Sequence, residues 1–471
     1  MKNSKRFLIT FFLSIFFLPF IANAQYTKLL DFAGATTGSY PEGSLISDST
    51  YLYSMTFAGG INNRGVIFKM KPDGTEFSKL FDFDSVNGRN PYGSVISDGT
   101  FLYGMTSTGG TYNMGVIFKI KLNGTGYSKI FDFTGGINGG HPCGDLITDG
   151  TFLYGMTCWG GSNSDGMIFK IKLDGTGYSK VLDFFNDSIG AGPGGDLFFD
   201  GTYLYGMISG SIATGSIFKI KPDGTEYARL HEFTGAANGR HPQGDLISDG
   251  TFLYGMTEYG GYNDEGIIFK IKLDGTGYSK LLDFDSVNGG YPLGSLIFDG
   301  NFLYATTQAG GTKGFGTIFK IKTDGTGYSK LFDFDSLYGI YPPCDLISDG
   351  TFLYGMTSRG GQNKKGVIFK IPITTDGVGI SHNFIKPNSE KLFDVYPNPS
   401  RGKFQLKISN QQLAKDKEYT IEVYNLIGEK IYTTKTQQQT FDIDISNSTK
   451  GMYFIRMTDG ENFYSEKIVI E

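Results

Sequence analysis

Four aspartates recur in the same local sequence at intervals of about fifty residues, which makes them candidates for chemistry. Each follows a recurring Gly, replaced by Cys344 in the last copy, and Ser stands at the same position elsewhere. The seven residues are Ser44, Ser94, Asp145, Asp196, Asp245, Ser295 and Asp345. A ring of oxygen ligands can hold Ca²⁺. We favour the alternative, in which Asp145, Asp196, Asp245 and Asp345 accept hydrogen bonds from backbone N–H groups of neighbouring loops.

Aromatic and basic residues form a second set of candidates, in segments whose sequence varies between copies. They are Tyr112, Trp159, Tyr259, Tyr262, Phe315 and Arg359, and Trp159 is the one Trp of the chain. Exposed aromatic faces suit sugar rings or apolar side chains, because they bury area at a small entropic cost. Packing on neighbouring loops is the alternative. The two interpretations stay balanced for Trp159, and packing is favoured for the others.

No known catalytic motif accompanies these residues. The sequence contains no H-E-x-x-H, no G-x-S-x-G and no P-loop. His141 and His241 occupy matching positions in two copies, but a shared metal site would require those copies to converge there, and we do not favour it. The paired acids of a glycosidase cannot be located from sequence, because their separation defines them. We therefore assign no catalytic residue.

The candidates belong to seven copies of one β-rich unit. The string D-G-T-F-L-Y-G-M-T recurs with small changes, and G-x-I-F-K follows it in each copy. The second copy predicts four strands, a to d: Gly93–Ser97, Phe101–Thr106, Val116–Lys121 and Tyr127–Phe133. Asp98-Gly99 and Asn123-Gly124 are turn residues. No segment has helical periodicity, so the chain is predicted to be all-β, with Phe118 and its six equivalents packed between units.

The phase of the repeat predicts a closed ring. Strands a, b and c occur seven times and end near Ile371, while the first strand d, Tyr26–Phe32, precedes any strand a. The N-terminal strand would therefore complete the last unit and remove the open sheet edges. The prediction is a seven-bladed β-propeller closed by the N-terminal strand. An open solenoid, which would leave both ends incomplete, is the less favoured alternative.

In a closed ring the loops lie on two opposite faces. The a→b and c→d turns are short and nearly constant, whereas the d→a and b→c loops on the opposite face vary. Because scaffold residues stay fixed while recognition residues differ, the variable face is the predicted functional one. The fourth copy departs from the others in both variable loops, and the sequence does not decide whether it has drifted or admits a ligand.

The motifs GSLISDG, TFLYGMT, GVIFKIK and YSKLFDF resemble the choice-of-anchor tandem repeat family called GloVer. The resemblance covers about Tyr26 to Ile371 and is repeated seven times. It implies a β-propeller-like fold, and the family carries no established activity.

Both ends of the chain predict export. Residues 1–24 have a basic start, an apolar stretch and Ala22-Asn23-Ala24 as a cleavage site, which is typical of a signal peptide. Residues 25–371 form the propeller, 372–390 a linker and 391–471 a small Ig-like β-sandwich. The last segment contains VYPNPSRGKF, YNLIGEKIY and a Gly-Met-Tyr-Phe strand, and it resembles the C-terminal sorting domain of the type IX secretion system. That resemblance implies the type IX machinery as partner, translocation across the outer membrane and a bacterium of the Bacteroidota type.

Composition excludes several function classes. The formal net charge is -5 and no basic patch is present, so nucleic acid is not an expected partner. No segment after the signal peptide is long enough to span a membrane. The three cysteines are too few for a disulfide framework. Cys143 should fall opposite Met156, offset from Cys158, so we expect three reduced, partly buried cysteines rather than a bridge.

Two functions remain open at the level of sequence. The favoured one is a binding or structural module, released from the cell or attached to its outer surface after passing the periplasm. It would be a monomer that recognises a glycan or a protein on its variable face. The alternative is a secreted polysaccharide hydrolase or lyase with its site at the mouth of the propeller channel. No cofactor is expected unless Ca²⁺ binds.

Overall fold

The structure is a computed structural model that describes residues 26–185, 192–210, 214–373, 393–408, 419–425, 430–438, 440–448, 451–458 and 463–470. The chain divides into two compact units, Met1–Thr374 and Thr375–Glu471. The predicted signal peptide lies outside the described residues, as do nearly all of the predicted linker and parts of the two divergent loops of the fourth copy.

The described part of the first unit contains seven four-stranded antiparallel sheets, numbered here in chain order. Sheet 1 is β2 (Ile46–Ser47), β3 (Leu52–Thr56), β4 (Val66–Met70) and β5 (Ser78–Asp82), and sheet 2 is β6 (Ile96–Ser97), β7 (Phe101–Thr106), β8 (Val116–Lys121) and β9 (Ser128–Asp132). Sheet 3 is β10 (Gly140–Thr148), β11 (Phe152–Trp159), β12 (Met167–Lys172) and β13 (Ser179–Asp183), and sheet 4 is β14 (Phe198–Phe199), β15 (Leu204–Ile208), β16 (Ser216–Ile220) and β17 (Ala228–Glu232).

The remaining sheets of this unit follow the same order. Sheet 5 is β18 (Arg240–Ser248), β19 (Phe252–Tyr259), β20 (Ile267–Lys272) and β21 (Ser279–Asp283), and sheet 6 is β22 (Ile297–Phe298), β23 (Phe302–Thr307), β24 (Thr317–Lys322) and β25 (Ser329–Asp333). Sheet 7 is β26 (Ile347–Ser348), β27 (Phe352–Thr357), β28 (Val367–Pro372) and β1 (Thr27–Asp31). The described residues contain no α-helix; a single 3₁₀ turn spans Gly136–Asn138. None of their helical segments could cross a membrane.

The N-terminal strand completes the last sheet. Strand β1 pairs antiparallel with β28, with Thr27 opposite Lys370 and Asp31 opposite Val367. This is the pairing that the phase of the repeat predicts. Tyr26, just before β1, stacks on Phe332 of sheet 6 with ring centroids 4.2 Å apart, so the first residues are held by two sheets.

The recurring Asp-Gly and Tyr of each copy form one local hydrogen-bonded turn. Asp98 Oδ1 accepts the backbone N–H groups of Thr100 and Phe101, and Asp98 Oδ2 accepts the Tyr103 hydroxyl at 2.9 Å. The same Asp–Tyr bond occurs in all seven copies. These aspartates therefore shape the a→b turn, as their sequence predicts.

Neighbouring sheets share their hydrophobic cores. Phe118 of sheet 2 is fully buried beside Tyr53, Met55 and Ile67 of sheet 1. Its equivalents in the other copies are also fully buried. A Cβ on Gly104 would lie 2.7 Å from the Phe118 ring, which explains the Gly of strand b. The predicted packing role of Phe118 is confirmed.

Strand a is shorter than predicted in most copies. In the second copy it covers Ile96–Ser97 rather than Gly93–Ser97. There the Ser94 N–H donates to the side chain of Asp145 in the next copy, 2.5 Å away. In sheets 3 and 5 the strand is longer, because it pairs with an extended strand b.

The second unit consists of two sheets. Three strands, β29 (Phe393–Tyr396), β30 (Lys403–Ile408) and β33 (Thr440–Asp444), form one sheet. The other contains β32 (Lys430–Thr436), β31 (Tyr419–Asn425), β34 (Gly451–Thr458) and β35 (Phe463–Ile470), in that order. Alternate side chains from both sheets, among them Leu406, Ile421 and Ile455, form one buried core. This alternation is the pattern of sheets with one buried face.

Candidate functional site

The seven Ser and Asp residues that follow the recurring Gly are linked in one cyclic chain of hydrogen bonds. In each step a backbone N–H donates to the side chain of the equivalent residue in the next copy. The steps are Ser44 to Ser94 Oγ (2.7 Å), Ser94 to Asp145 Oδ1 (2.5 Å), Asp145 to Asp196 Oδ1, Asp196 to Asp245 Oδ1 (2.7 Å), Asp245 to Ser295 Oγ (2.7 Å), Ser295 to Asp345 Oδ1 (2.5 Å) and Asp345 to Ser44 Oγ (2.8 Å). We call these seven residues the inner ring.

In the inner ring the four aspartates accept backbone N–H groups of neighbouring copies, which is the arrangement that the favoured interpretation expects. One oxygen of each carboxyl is committed to a backbone N–H, which satisfies a donor that no strand partner reaches. Among the described residues, no group of three or more His, Cys, Asp or Glu is arranged to hold a metal ion. The ring is thus a structural clasp between neighbouring copies.

Burial raises the pKa values of the inner-ring carboxyls. It raises the pKa of Asp145 to about 6, against hydrogen bonds from Ser94 that lower it. The pKa values of Asp196 and Asp245 are raised well above the usual range, first by burial and then by neighbouring carboxylates. Burial also raises the pKa of Asp345. Protons are therefore retained in the ring at a pH where exposed carboxyls are ionised.

A cavity of about 600 Å³ opens above the inner ring, at the end of the sheets where the d→a and b→c loops meet. Its wall includes the residue between the recurring Pro and Gly, which differs in nearly every copy. From the first copy to the last this residue is Glu42, Tyr92, Cys143, Gly194, Gln243, Leu293 and Pro343, and all but Gly194 line the cavity. Sequence reasoning missed this position, although its variability between copies is a visible signal.

Trp159 stands at the rim of this cavity. Its side chain is 64% exposed and meets the ring of His141 edge to face, with centroids 6.1 Å apart. The Nδ1 atom of His141 lies 3.0 Å from the carbonyl oxygen of Ser107, which fixes the imidazole. Tyr92, 52% exposed, is a second aromatic side chain of the lining. The cavity therefore offers two accessible aromatic faces.

Cys143 and Cys158 form a disulfide, so the expectation of three reduced cysteines is wrong. The register prediction was right, since Cys143 pairs with Met156. The bridge runs diagonally across β10 and β11, with Cα atoms 5.8 Å apart, a distance that disulfides commonly span. Both cysteines line the cavity, and Trp159 follows Cys158 directly. The bridge ties the Trp-bearing end of β11 to the cavity wall, while Cys344 is a buried free thiol.

Glu42 is the carboxyl of the lining that lies outside the inner ring. Burial raises its pKa to about 7, and Arg359 lowers it in part. Its carboxylate makes no hydrogen bond with the described residues. Burial raises the pKa of the neighbouring Tyr92 hydroxyl, and Glu42 raises it further. A carboxyl that titrates near neutral pH inside a cavity is a candidate for ligand binding or proton transfer.

The other predicted rim residues do not line the cavity. Tyr112 is 56% exposed and Tyr262 is 91% exposed. Tyr259 packs edge to face on His241 and lies under the guanidinium of Arg240, 4.7 Å from the ring centroid. Arg359 lies over Tyr341 at 5.6 Å. Of the predicted aromatic and basic candidates, the described structure brings Trp159 alone to the cavity.

Two family models match the chain. The Gloeobacter/Verrucomicrobia repeat matches residues 15–157, 148–261 and 209–396. The secretion system C-terminal sorting domain matches residues 394–471. Both resemblances seen in the sequence are thereby confirmed, and the sorting domain indicates secretion or attachment to the cell surface.

Individual proteins are similar to parts of the chain in sequence or in structure. Ulvan lyase NLR42 of Nonlabens ulvanivorans is 32% identical over 78 residues, which cover 16% of this chain and 14% of that protein's length. An oligogalacturonate lyase of Vibrio parahaemolyticus superposes with a TM-score of 0.53 at 13% identity, over 74% of this chain and 94% of the other. An oligogalacturonate lyase in complex with manganese superposes with a TM-score of 0.52 at 11% identity, over 74% of this chain and 93% of the other. These structures show a common propeller-like fold.

Proposed function

The chain belongs to the Gloeobacter/Verrucomicrobia repeat family, and from that premise we propose that it is an exported seven-bladed β-propeller that binds a carbohydrate in the cavity above its inner ring. The seven sheets, the inner ring and the pairing of β1 with β28 support the closed propeller. We further propose that the second unit is an Ig-like sandwich, that the protein is a monomer, and that it reaches the medium or the outer surface through the periplasm.

One observation carries the proposal for binding: the chain's single Trp stands 64% exposed at the rim of a cavity of about 600 Å³. A side chain of that size is usually buried in a soluble protein unless it serves a contact. The cavity volume is in the range of small-ligand sites, which favours a few sugar units over a folded protein surface. Aromatic faces supply stacking area, and the Ser, Gln243 and Glu42 side chains supply hydrogen bonds to hydroxyl groups.

A glycan-array screen of the mature protein tests the proposal. The wild-type chain should bind a defined subset of glycans, and Trp159→Ala should weaken that binding by about tenfold or more, since stacking contributes about 1–3 kcal/mol per ring. Tyr262→Ala is the matched control, because Tyr262 is more exposed but lies outside the cavity. Equal binding by all three proteins, or binding of no glycan, would refute the proposed function.

A second candidate function, cleavage of a polysaccharide in the same cavity, is favoured by Glu42. A carboxyl with a pKa of about 7 beside a phenol is suited to general acid–base catalysis at neutral pH. Incubation with soluble polysaccharides should then release reducing ends or unsaturated products, and Glu42→Gln should abolish that release. Binding without product formation at any pH between about 5 and 8 would exclude the enzyme and leave the binding function.

A further inference from the structure

The ionisable lining of the cavity is almost entirely acidic. It contains the inner-ring aspartates and Glu42, together with His141, and none of its residues is Lys or Arg. Residues 186–191 and 211–213, which belong to the loops of the fourth copy, contain no Lys or Arg in the sequence either. A carboxylate or sulfate group that entered the cavity would lose hydration and meet no cation that repays this loss.

Three basic side chains of the surrounding loops make contacts outside the cavity. Arg240 forms an ion pair with Asp264 at 2.7 Å and also covers the Tyr259 ring. Lys313 pairs with Asp335 at 2.5 Å. Arg359 rests on Tyr341 and lowers the pKa of Glu42 in part. Arg359 thus offsets some of the burial of Glu42 from outside the lining, which itself contains no Lys or Arg.

Glu42 differs from the inner-ring carboxyls in what its oxygens contact. Each ring carboxyl already accepts a backbone N–H. The Glu42 carboxylate accepts none from the described residues, and it acts electrostatically on the hydroxyl of Tyr92, a cavity residue that is 52% exposed. A cavity carboxylate that accepts no hydrogen bond can bind an ammonium group through a charge-assisted hydrogen bond, and an aromatic side chain of the same cavity can add a cation–π contact.

We infer that the cavity selects a sugar with a free amino group, that Glu42 binds the ammonium, and that uronates are rejected. This inference rests on the carbohydrate-binding function proposed above. It sets the chain apart from the structurally similar oligogalacturonate lyases, whose names describe an anionic substrate. Trp159 would stack on the sugar ring and thereby present its amino group to Glu42.

Ligand binding should be linked to proton release. Arg359 favours the ionised form of Glu42. The charge of Glu42 in turn raises the pKa of the Tyr92 hydroxyl and of the Cys344 thiol. A bound ammonium also favours the ionised carboxylate. Where the pH lies below the pKa of Glu42, about 7, and also below that of the ligand's own ammonium, the complex must release a proton, and affinity for the amino sugar should fall as the pH is lowered further.

The test is calorimetric titration of the mature protein with matched oligosaccharides. Glucosamine and N-acetylglucosamine tetramers have the same rings and linkage and differ in charge, and a galacturonate tetramer supplies the anion. The amino tetramer should bind about tenfold more tightly than the N-acetylated one, and the galacturonate should not bind. Glu42→Gln should abolish the preference for the amino tetramer over the N-acetylated one. Glu258→Gln, which replaces an acid of the same face outside the cavity, should keep the preference.

The outcomes separate the two proposals. Equal affinity of the wild-type protein for the two matched tetramers, or galacturonate binding that Trp159→Ala abolishes, would overturn the amino-sugar inference and leave carbohydrate binding intact. Failure of every glycan to bind would refute the proposed function itself. The comparison of ligands on the wild-type chain does not depend on the folding of a variant, and Glu42→Asp, which keeps the charge, should retain part of the preference.

Discussion

The backbone N–H of Asp345 donates a hydrogen bond to the hydroxyl of Ser44 at 2.8 Å, across a sequence separation of 301 residues. This bond closes the inner ring, while the pairing of β1 with β28 joins the same two ends of the repeat at the periphery. The first and last copies are therefore connected both at the centre and at the outer edge. Their stabilities should depend on each other, as expected when a ring leaves no free sheet edge.

The Asp196 carboxyl should be a better hydrogen-bond acceptor in the inner ring as a neutral group than as a charge, because burial raises its pKa well above the usual range. Asp196→Asn keeps an oxygen for the N–H of Asp145, whereas Asp196→Ala leaves that buried donor unpaired and should cost about 1–3 kcal/mol. Because the folded-state pKa of Asp196 lies above the unfolded value, its contribution to stability falls as the pH rises above about 4. The melting temperature of Asp196→Asn relative to wild type should therefore increase towards neutral pH. Equal destabilisation by both substitutions at every pH would contradict this role.

Tyr26 should contribute strongly to ring closure. It stacks on Phe332 and Phe369, and its hydroxyl donates to the carbonyl oxygen of Tyr338 at 2.5 Å. Tyr26→Ala should lower the free energy of unfolding by about 3 kcal/mol in denaturant titrations. Tyr112→Ala, at a 56% exposed position, should change it by less than about 0.5 kcal/mol. A similar, small effect of both substitutions would mean that the N-terminal residues do not close the ring.

The disulfide between Cys143 and Cys158 should stabilise the cavity wall. Its cysteines are 15 residues apart, and loss of a disulfide typically lowers the free energy of unfolding by about 2–4 kcal/mol. The double variant Cys143→Ala/Cys158→Ala should unfold at lower denaturant concentration and no longer respond to reductant, whereas Cys344→Ala should still respond. Alkylation of the unfolded, unreduced protein should modify one thiol of three. Modification of all three would rule out the bridge.

Much of the fold follows from the sequence, because each copy carries its own local signals. The Asp98-Gly99 turn, the buried Phe118 and the phase of Tyr26–Phe32 each predict what the structure shows. The short strand a did not follow, since the length of strand a depends on how far strand b extends beside it. Contacts between copies are set by the geometry of the ring, which no local pattern encodes.

The candidate site was only partly predictable. The backbone-binding role of the ring aspartates could be inferred, because their recurrence argued for a scaffold role. The disulfide was missed because a diagonal bridge tolerates the offset between Cys143 and Cys158. The sequence marks the position of Glu42 by its variability between copies, but the raised pKa of Glu42 depends on burial, which the sequence does not show. Trp159 was left undecided until the cavity beside it was located.

The C-terminal unit should be necessary and sufficient for export by a cell that has the type IX machinery. Removal of residues 394–471 should retain the repeat unit in the cell envelope, because these residues match the sorting domain. Fusion of residues 391–471, behind a signal peptide, to a fluorescent passenger should bring the passenger to the surface or the medium. Fractionation followed by immunoblotting measures both results. Unchanged secretion of the truncated protein would contradict the sorting role.

The most direct test of carbohydrate binding uses the fluorescence of the single Trp. Because Trp159 is 64% exposed at the cavity rim, its emission reports on this site alone. Titration with the best ligand from the glycan array should shift the emission to shorter wavelength and reduce quenching by acrylamide, with the same affinity that calorimetry gives. Stacking of a sugar ring on Trp159 should produce this protection. A glycan that binds by calorimetry without changing the emission or the quenching of Trp159 would place the binding site elsewhere and contradict the account.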